Sequence, residues 1–203
     1  LSDLPLRDNL VGKRPYGAPQ DAVPVSLNVN ENTHPLPEEV VADIAAALVE
    51  AVRGVNRYPD REATELREGL AGYLGHGLTA AQLWAANGSN EVLQTVLLAY
   101  AGPGRTVATF EPTYQMHAQI ARVTGATVVE GERAADFTLD PAEVERVLVD
   151  HRPHVVFLTS PNNPTGLVEP AERVRQLLVL APGLVVVDEA YALARGGEND
   201  FGL

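Results

Sequence analysis

The 203-residue chain is 45% hydrophobic and 21% charged, which is ordinary globular usage with enough apolar residues for a sizeable core. Its 27 acidic and 15 basic side chains give a net charge of −12, which argues against nucleic acid or an anionic membrane as the main partner. The absence of cysteine excludes a disulfide framework and a thiolate metal site.

The first residues lack the basic-then-apolar pattern of a signal peptide, and no apolar run approaches a membrane span, so a soluble cytoplasmic protein is expected. Residues 1–26 scatter proline and glycine in irregular order, which predicts an extended arm. Residues 27–37 are dense in Asn and end in two prolines, a polar loop. Val40, Val41, Ile44, Leu48 and Val52 recur at helical spacing from Glu38, with Arg53-Gly54 as the stop signal. A turn at 56–60 precedes a second helix over 63–74, with Leu66, Leu70 and Leu74 four residues apart.

Strand and helix then alternate. Strands are predicted at 82–86, 106–110, 127–130, 154–159 and 184–187, with helices running to Tyr100 and over 114–124, 141–150 and 171–180. That order predicts an α/β fold with a mostly parallel sheet covered by helices. The boundaries expected are an arm and polar loop over 1–37 and a sheet domain over 38–203.

Four places could carry chemistry. Gly88-Ser89-Asn90-Glu91 follows a predicted strand and opens a helix, which turns backbone N–H groups and the positive helix end toward an anion, although a plain N-cap fits the same residues. Tyr114 opens the helix after another strand. The loop Ser160-Pro161-Asn162-Asn163-Pro164-Thr165-Gly166 holds two Asn between prolines that fix the backbone. Leu184-Val185-Val186-Val187 is a buried-strand run that delivers Asp188 to its carboxyl end, where open α/β sheets bind ligands. Alone, Asp188 fits a cap for the next turn equally well. The five histidines show no metal-ligand spacing, and Ser89 and Ser160 lack a nucleophile elbow.

In this order, Asn87 to Glu91, Glu111-Pro112-Thr113-Tyr114, the 160–166 loop and Val187-Asp188-Glu189-Ala190-Tyr191 resemble the fold-type I aminotransferases that use pyridoxal 5'-phosphate. Leu27-Asn28-Val29-Asn30-Glu31-Asn32, Asn56-Arg57-Tyr58-Pro59-Asp60 and Pro15-Tyr16 are similar to the histidinol-phosphate aminotransferases in particular; Thr33 stands where that family usually has proline. The resemblance implies an incomplete fold-type I large domain. Asp188 would pair with the pyridine nitrogen, Asn163 and Tyr191 would meet the phenolic oxygen, and Tyr114 would stack on the ring. Gly88, Ser89 and Asn90 would hold the phosphate, with Tyr58 reaching it from the partner of a homodimer. Tyr16 and Asn30 would line the substrate side, and the substrates implied are histidinol phosphate and 2-oxoglutarate or glutamate. An aromatic amino acid transaminase, or a non-catalytic binding or dimerisation fragment, are the alternatives.

The family's catalytic lysine follows the Asp-Glu-Ala-Tyr motif, whereas Lys13, in the arm, is the one lysine of this sequence. No catalytic residue is therefore expected within these residues, and the chain alone is expected to be inactive. The resemblance also implies that the strand at 82–86 lacks its usual neighbours, leaving apolar edges exposed.

Overall fold

A computed structural model describes residues 4–13, 17, 21–25, 28 and 30–192. The chain divides into two units, one of residues 1–11 and 86–203 and the other of residues 12–85.

The first unit is built on four parallel strands: β1 (Thr106–Glu111), β2 (Thr127–Glu132), β3 (Val155–Thr159) and β4 (Leu184–Asp188), in the order β2-β1-β3-β4. The connections are α4 (Met116–Thr124), α5 (Pro141–His151) and α6 (Ala171–Leu180), and α3 (Ser89–Tyr100) precedes β1. Side chains alternate across a strand, and both faces are covered here. Ala108, Phe110, Val156 and Leu158 face one way and pack with Val144, Val147 and Leu148 of α5 and Val174 and Leu177 of α6. Val107, Val155 and Phe157 face the other way, against Leu93 and Leu97 of α3 and Ile120 and Ala121 of α4. Each of the larger buried side chains contributes about 1.5–3 kcal/mol by leaving water.

Local chemistry sets the element ends. Asp140 caps α5, its Oδ1 accepting from Ala142 N at 2.8 Å, with Pro141 in the first turn. Gly125 closes α4 at φ 92°, a conformation glycine adopts without penalty. Gly183 is needed for a different reason. A Cβ there would lie 2.2 Å from the His154 carbonyl oxygen, so the entry to β4 passes directly against β3.

The 82–86 strand expected from the sequence does not form. Ala80–Gln82 is a 3-10 turn closed by a Thr79–Gln82 capping box, and residues 83–86 join no ladder. Leu83 has extended dihedrals (φ −114°, ψ 146°), but a strand also requires a hydrogen-bonding neighbour, and none among the described residues pairs with it. The arm is also less extended than expected. Asp8–Leu10 forms a 3-10 turn, and Arg7 Nη2 and Asn9 Nδ2 donate to the carbonyls of Val123 (2.6 Å) and Arg122 (2.9 Å) at the end of α4.

The second unit contains α1 (Glu38–Val52) and α2 (Thr64–Leu74). Asp60 accepts from the N–H groups of Glu62 and Thr64 before α2, and these bonds hold its carboxyl below the usual value. No helix among the described residues is long and apolar enough to cross a membrane.

Candidate functional site

The carboxyl ends of β3 and β4 and the amino end of α3 converge on a cleft of about 380 Å³. It is lined by Ser89, Tyr114, Thr159, Asn163, Asp188, Ala190 and Tyr191. Five of these (Ser89, Tyr114, Asn163, Asp188 and Tyr191) carry the sequence expectation, and the fold brings them together from segments separated by about a hundred residues of chain.

Asp188 reaches the cleft because β4 runs in register with β3, Thr159 opposite Asp188. Its carboxylate is fixed on both oxygens. Oδ2 lies 2.9 Å from His117 Nε2, and Oδ1 accepts from Ala190 N at 3.1 Å. Burial is the largest influence on this carboxyl and pushes its pKa up. The His117 hydrogen bond, the Ala190 N–H and the His117 charge together outweigh it, holding Asp188 below its ordinary 3.8. One oxygen closes the following turn, as a cap would, while the other is held by His117. On the neighbouring Glu189, burial and then the Asp188 charge push the carboxyl up.

His117 was not singled out from the sequence. It is fully buried in α4, stacked on Phe157 at 4.4 Å and 6°, with the Tyr114 ring edge-on at 5.4 Å and 85°. The sequence carries no local signal for it, because its partners Asp188 and Phe157 lie far away in the chain. The ring is clamped, and with Asp188 ionised the Nε2 proton is the one it receives. Nδ1 is enclosed with no hydrogen-bond partner among the described residues.

The 160–170 loop presents Asn163, whose Nδ2 donates to the Tyr191 hydroxyl at 3.3 Å. Its neighbour Asn162 is buried and ties the loop down. Nδ2 donates to the Pro112 carbonyl (3.0 Å) and Thr165 Oγ1 (2.9 Å), which leaves Oδ1 to accept from Thr113 Oγ1 at 2.9 Å. With its only proton committed there, Thr113 must accept from the Thr159 hydroxyl 3.1 Å away. The loop closes at its base through Glu169 N to Ser160 Oγ (3.0 Å), and Ser160 N donates to the Asp188 carbonyl at 2.9 Å. A buried Arg133–Glu169 ion pair of 2.5 Å anchors the exit.

At the amino end of α3, Gly88 takes φ 79° and carries no capping side chain, so the first-turn N–H groups of the helix are not bonded by a cap. Glu91 instead turns back to Asn87 N at 2.5 Å. Tyr114 Oη donates to Asn90 Oδ1 at 3.3 Å, linking this helix start to the ring stack. Ser89 lines the cleft directly, while Gly88 and Asn90 stand beside it in sequence.

Two expected residues belong to the second unit, and a third is not described. Tyr58 belongs to the second unit and is fully exposed, and Asn30, also of that unit, has φ 55° and is exposed. Tyr16 lies outside the described residues. No group of three or more His, Cys, Asp or Glu side chains among the described residues is placed to hold a metal ion.

Chemically, the cleft offers an ionised acid at its end, an Asn–Tyr pair on one wall, an aromatic ring and an open helix start. That donor set suits a flat, protonated heteroaromatic ring with an oxygen substituent and an anionic arm.

Comparison with known proteins agrees with that chemistry. The sequence pattern of the family described as aminotransferase class I and II matches residues 22–202. A histidinol-phosphate aminotransferase of Thermobifida fusca is 55% identical over 192 residues, covering 95% of this chain and 52% of that protein. The chain spans about half the length of the first curated relatives it matches. Among solved structures, a Thermus thermophilus aspartate aminotransferase variant superposes with a TM-score of 0.75 at 27% identity, covering 91% of this chain and 50% of that one. A Sinorhizobium meliloti histidinol-phosphate aminotransferase in complex with pyridoxal 5'-phosphate gives 0.65 at 26% identity, covering 73% and 40%.

Proposed function

Because the chain belongs to the class I and II aminotransferase family, we propose that its cleft holds pyridoxal 5'-phosphate and that it serves transamination between histidinol phosphate and 2-oxoglutarate. The observation that carries this reading is the gathering of Ser89, Tyr114, Asn163, Asp188 and Tyr191 around one cleft. The substrate pair is supported by relatives of 50–55% identity that bear the histidinol-phosphate aminotransferase name. A cytoplasmic homodimer is part of the same reading.

Pyridoxal phosphate supplies an electron sink, and its ring nitrogen draws electrons best when protonated. Asp188 is suited to keep that proton in place, since it stays ionised in a largely enclosed position. Asn163 Nδ2 and the Tyr191 hydroxyl would donate to the phenolic oxygen, Tyr114 would cover the ring face, and Gly88, Ser89 and Asn90 would hold the phosphate at the uncapped helix start. Tyr58 would reach that phosphate from the partner subunit, and Tyr16 and Asn30 would serve the substrate side. His117 orients Asp188 and leaves its second oxygen to the Ala190 N–H.

No lysine stands among the residues lining the cleft, and the sequence's one lysine, Lys13, belongs to the second unit. The 203 residues alone are therefore proposed to bind the cofactor without carrying amino transfer. The test is an absorbance titration with pyridoxal phosphate of the chain and of Asp188→Ala, followed by borohydride reduction and peptide mass analysis. Saturable binding, weakened at least about tenfold by the substitution and leaving no lysine labelled, is expected. Equal binding by the variant overturns the site, and specific labelling of Lys13 with turnover overturns the inactivity. Rates with histidinol phosphate and with aromatic amino acids on a chain of the relatives' length decide the donor.

A further inference from the structure

At the opposite, amino ends of β1, β3 and β4 lies a second, larger and more open cleft of about 980 Å³. Arg105, Arg152 and His154 line it together with Tyr100 and Leu184, and no acidic side chain does. The chain as a whole carries a net charge of −12, and half of its described arginines meet carboxylates. Arg53, Arg61, Arg67, Arg122, Arg133 and Arg146 each pair with a Glu. Arg105 and Arg152 have no acidic partner among the described residues.

Arg152 adds an independent sign. It follows α5 at φ 43° and ψ 57°, the left-handed conformation in which helices prefer to end on glycine. The same fold uses Gly125 for that purpose after α4. A long cationic side chain therefore occupies a backbone position that disfavours it, as Ala63, His76 and Phe137 also do, but only Arg152 of these lines this cleft. The carboxyl end of α5 attracts the positive charge, but that field does not require the arginine to stand at the strained position itself.

The rest of the cleft is prearranged. His154 Nδ1 accepts from Thr106 N at 3.1 Å, so the neutral ring carries its proton on Nε2, a donor. Arg105 spends one N–H on the Tyr100 carbonyl at 3.2 Å and keeps four others. Pro153, Pro182 and the contact-enforced Gly183 fix the backbone beneath. Two guanidinium forks and an imidazole N–H match the oxygens of a phosphate dianion, and the half-exposed Tyr100 ring with Leu184 gives an organic substituent an apolar wall.

We propose that this cleft is a binding site for a small phosphate monoester, separate from the cleft at the carboxyl ends of the strands. The test follows the His154 ring signals by proton–carbon NMR during titration with phenyl phosphate and with inorganic phosphate at constant ionic strength, with His154→Gln assigning the signals. Saturable shifts are expected, with phenyl phosphate the tighter ligand. Arg152→Gly should weaken binding about tenfold while raising the melting temperature, because glycine relieves the left-handed strain; lost binding then cannot be put down to misfolding. Arg105→Ala should weaken it further. Shifts that never saturate, or an unchanged midpoint in Arg152→Gly, overturn the site. Inorganic phosphate binding as tightly as phenyl phosphate overturns the monoester assignment.

Discussion

Asn163 donates to the Tyr191 hydroxyl at 3.3 Å, joining two loops 28 residues apart in sequence. The hydroxyl proton of Tyr191 is thereby directed away from Asn163, and the second Nδ2 proton of Asn163 is directed away from Tyr191. Two donors stand side by side on one wall of the cleft. Tyr191→Phe is expected to weaken pyridoxal phosphate about tenfold while leaving the urea unfolding midpoint nearly unchanged. Absorbance titration and circular dichroism check the two halves of that expectation.

His117 and Asp188 should behave as a unit. His117→Phe keeps an aromatic ring against Phe157 but removes the donor to Asp188, at a cost of about 1–3 kcal/mol in stability. His117→Phe combined with Asp188→Asn should cost less than the sum of the two single changes. A strictly additive double-mutant cycle in urea would show that the bond carries no coupling.

The same pair sets a pH dependence. Asp188 titrates below its ordinary 3.8 in the folded chain. Its stabilising contribution is therefore fully present above the unfolded value and is lost as pH falls through the lower folded value. As pH falls below about 4, the wild type should lose stability more steeply than Asp188→Asn. Parallel slopes in denaturant titrations would contradict this.

The Arg133–Glu169 pair is buried on both sides, and Arg133 also donates to the carbonyls of Phe110 (3.3 Å) and Phe137 (3.1 Å). Glu169→Ala leaves a buried guanidinium without its counter-charge and should cost about 3–5 kcal/mol. Replacing both partners with apolar residues should recover much of that loss. Thermal melts of the single and double variants measure it.

Gly183→Ala tests the close passage of β4 against β3. The added methyl would meet His154 backbone atoms at 2.2 to 2.8 Å, and that backbone is held in the sheet from both sides. A loss of about 3 kcal/mol is expected, at the upper end for overpacking. Gly88→Ala meets nothing within 4 Å, so its cost comes from φ 79° alone and should be smaller.

Most helices were legible because their signals are local. Pro141 behind Asp140 starts α5, and Val174 and Leu177 of α6 recur at helical spacing. The four paired strands were legible as apolar runs between turns. Residues 82–86 look the same in sequence, yet a strand is defined by its neighbours, which the run itself does not encode. The cleft was readable where a motif carries the chemistry within a few residues, as at 160–166 and 187–191. His117 escaped because its partner is 71 residues away and its role comes from the packing of α4 on Phe157. Tyr114 was placed at a helix start, whereas α4 begins two residues later, which leaves its ring free of helical side-chain direction and edge-on to His117.

The turn at Asp8–Leu10 binds carbonyls that the sequence supplies much later. Arg7 and Asn9 reach Val123 and Arg122 across separations of 116 and 113 residues. Synthesis proceeds from the amino end at about 5–20 residues per second, so this segment leaves the ribosome several seconds before its acceptors exist. It must wait unattached until the helix bearing His117 has been made, and only then can it close over that helix's end. During translation this turn is therefore secured only once α4 has been made, although it precedes the rest of the first unit in the chain.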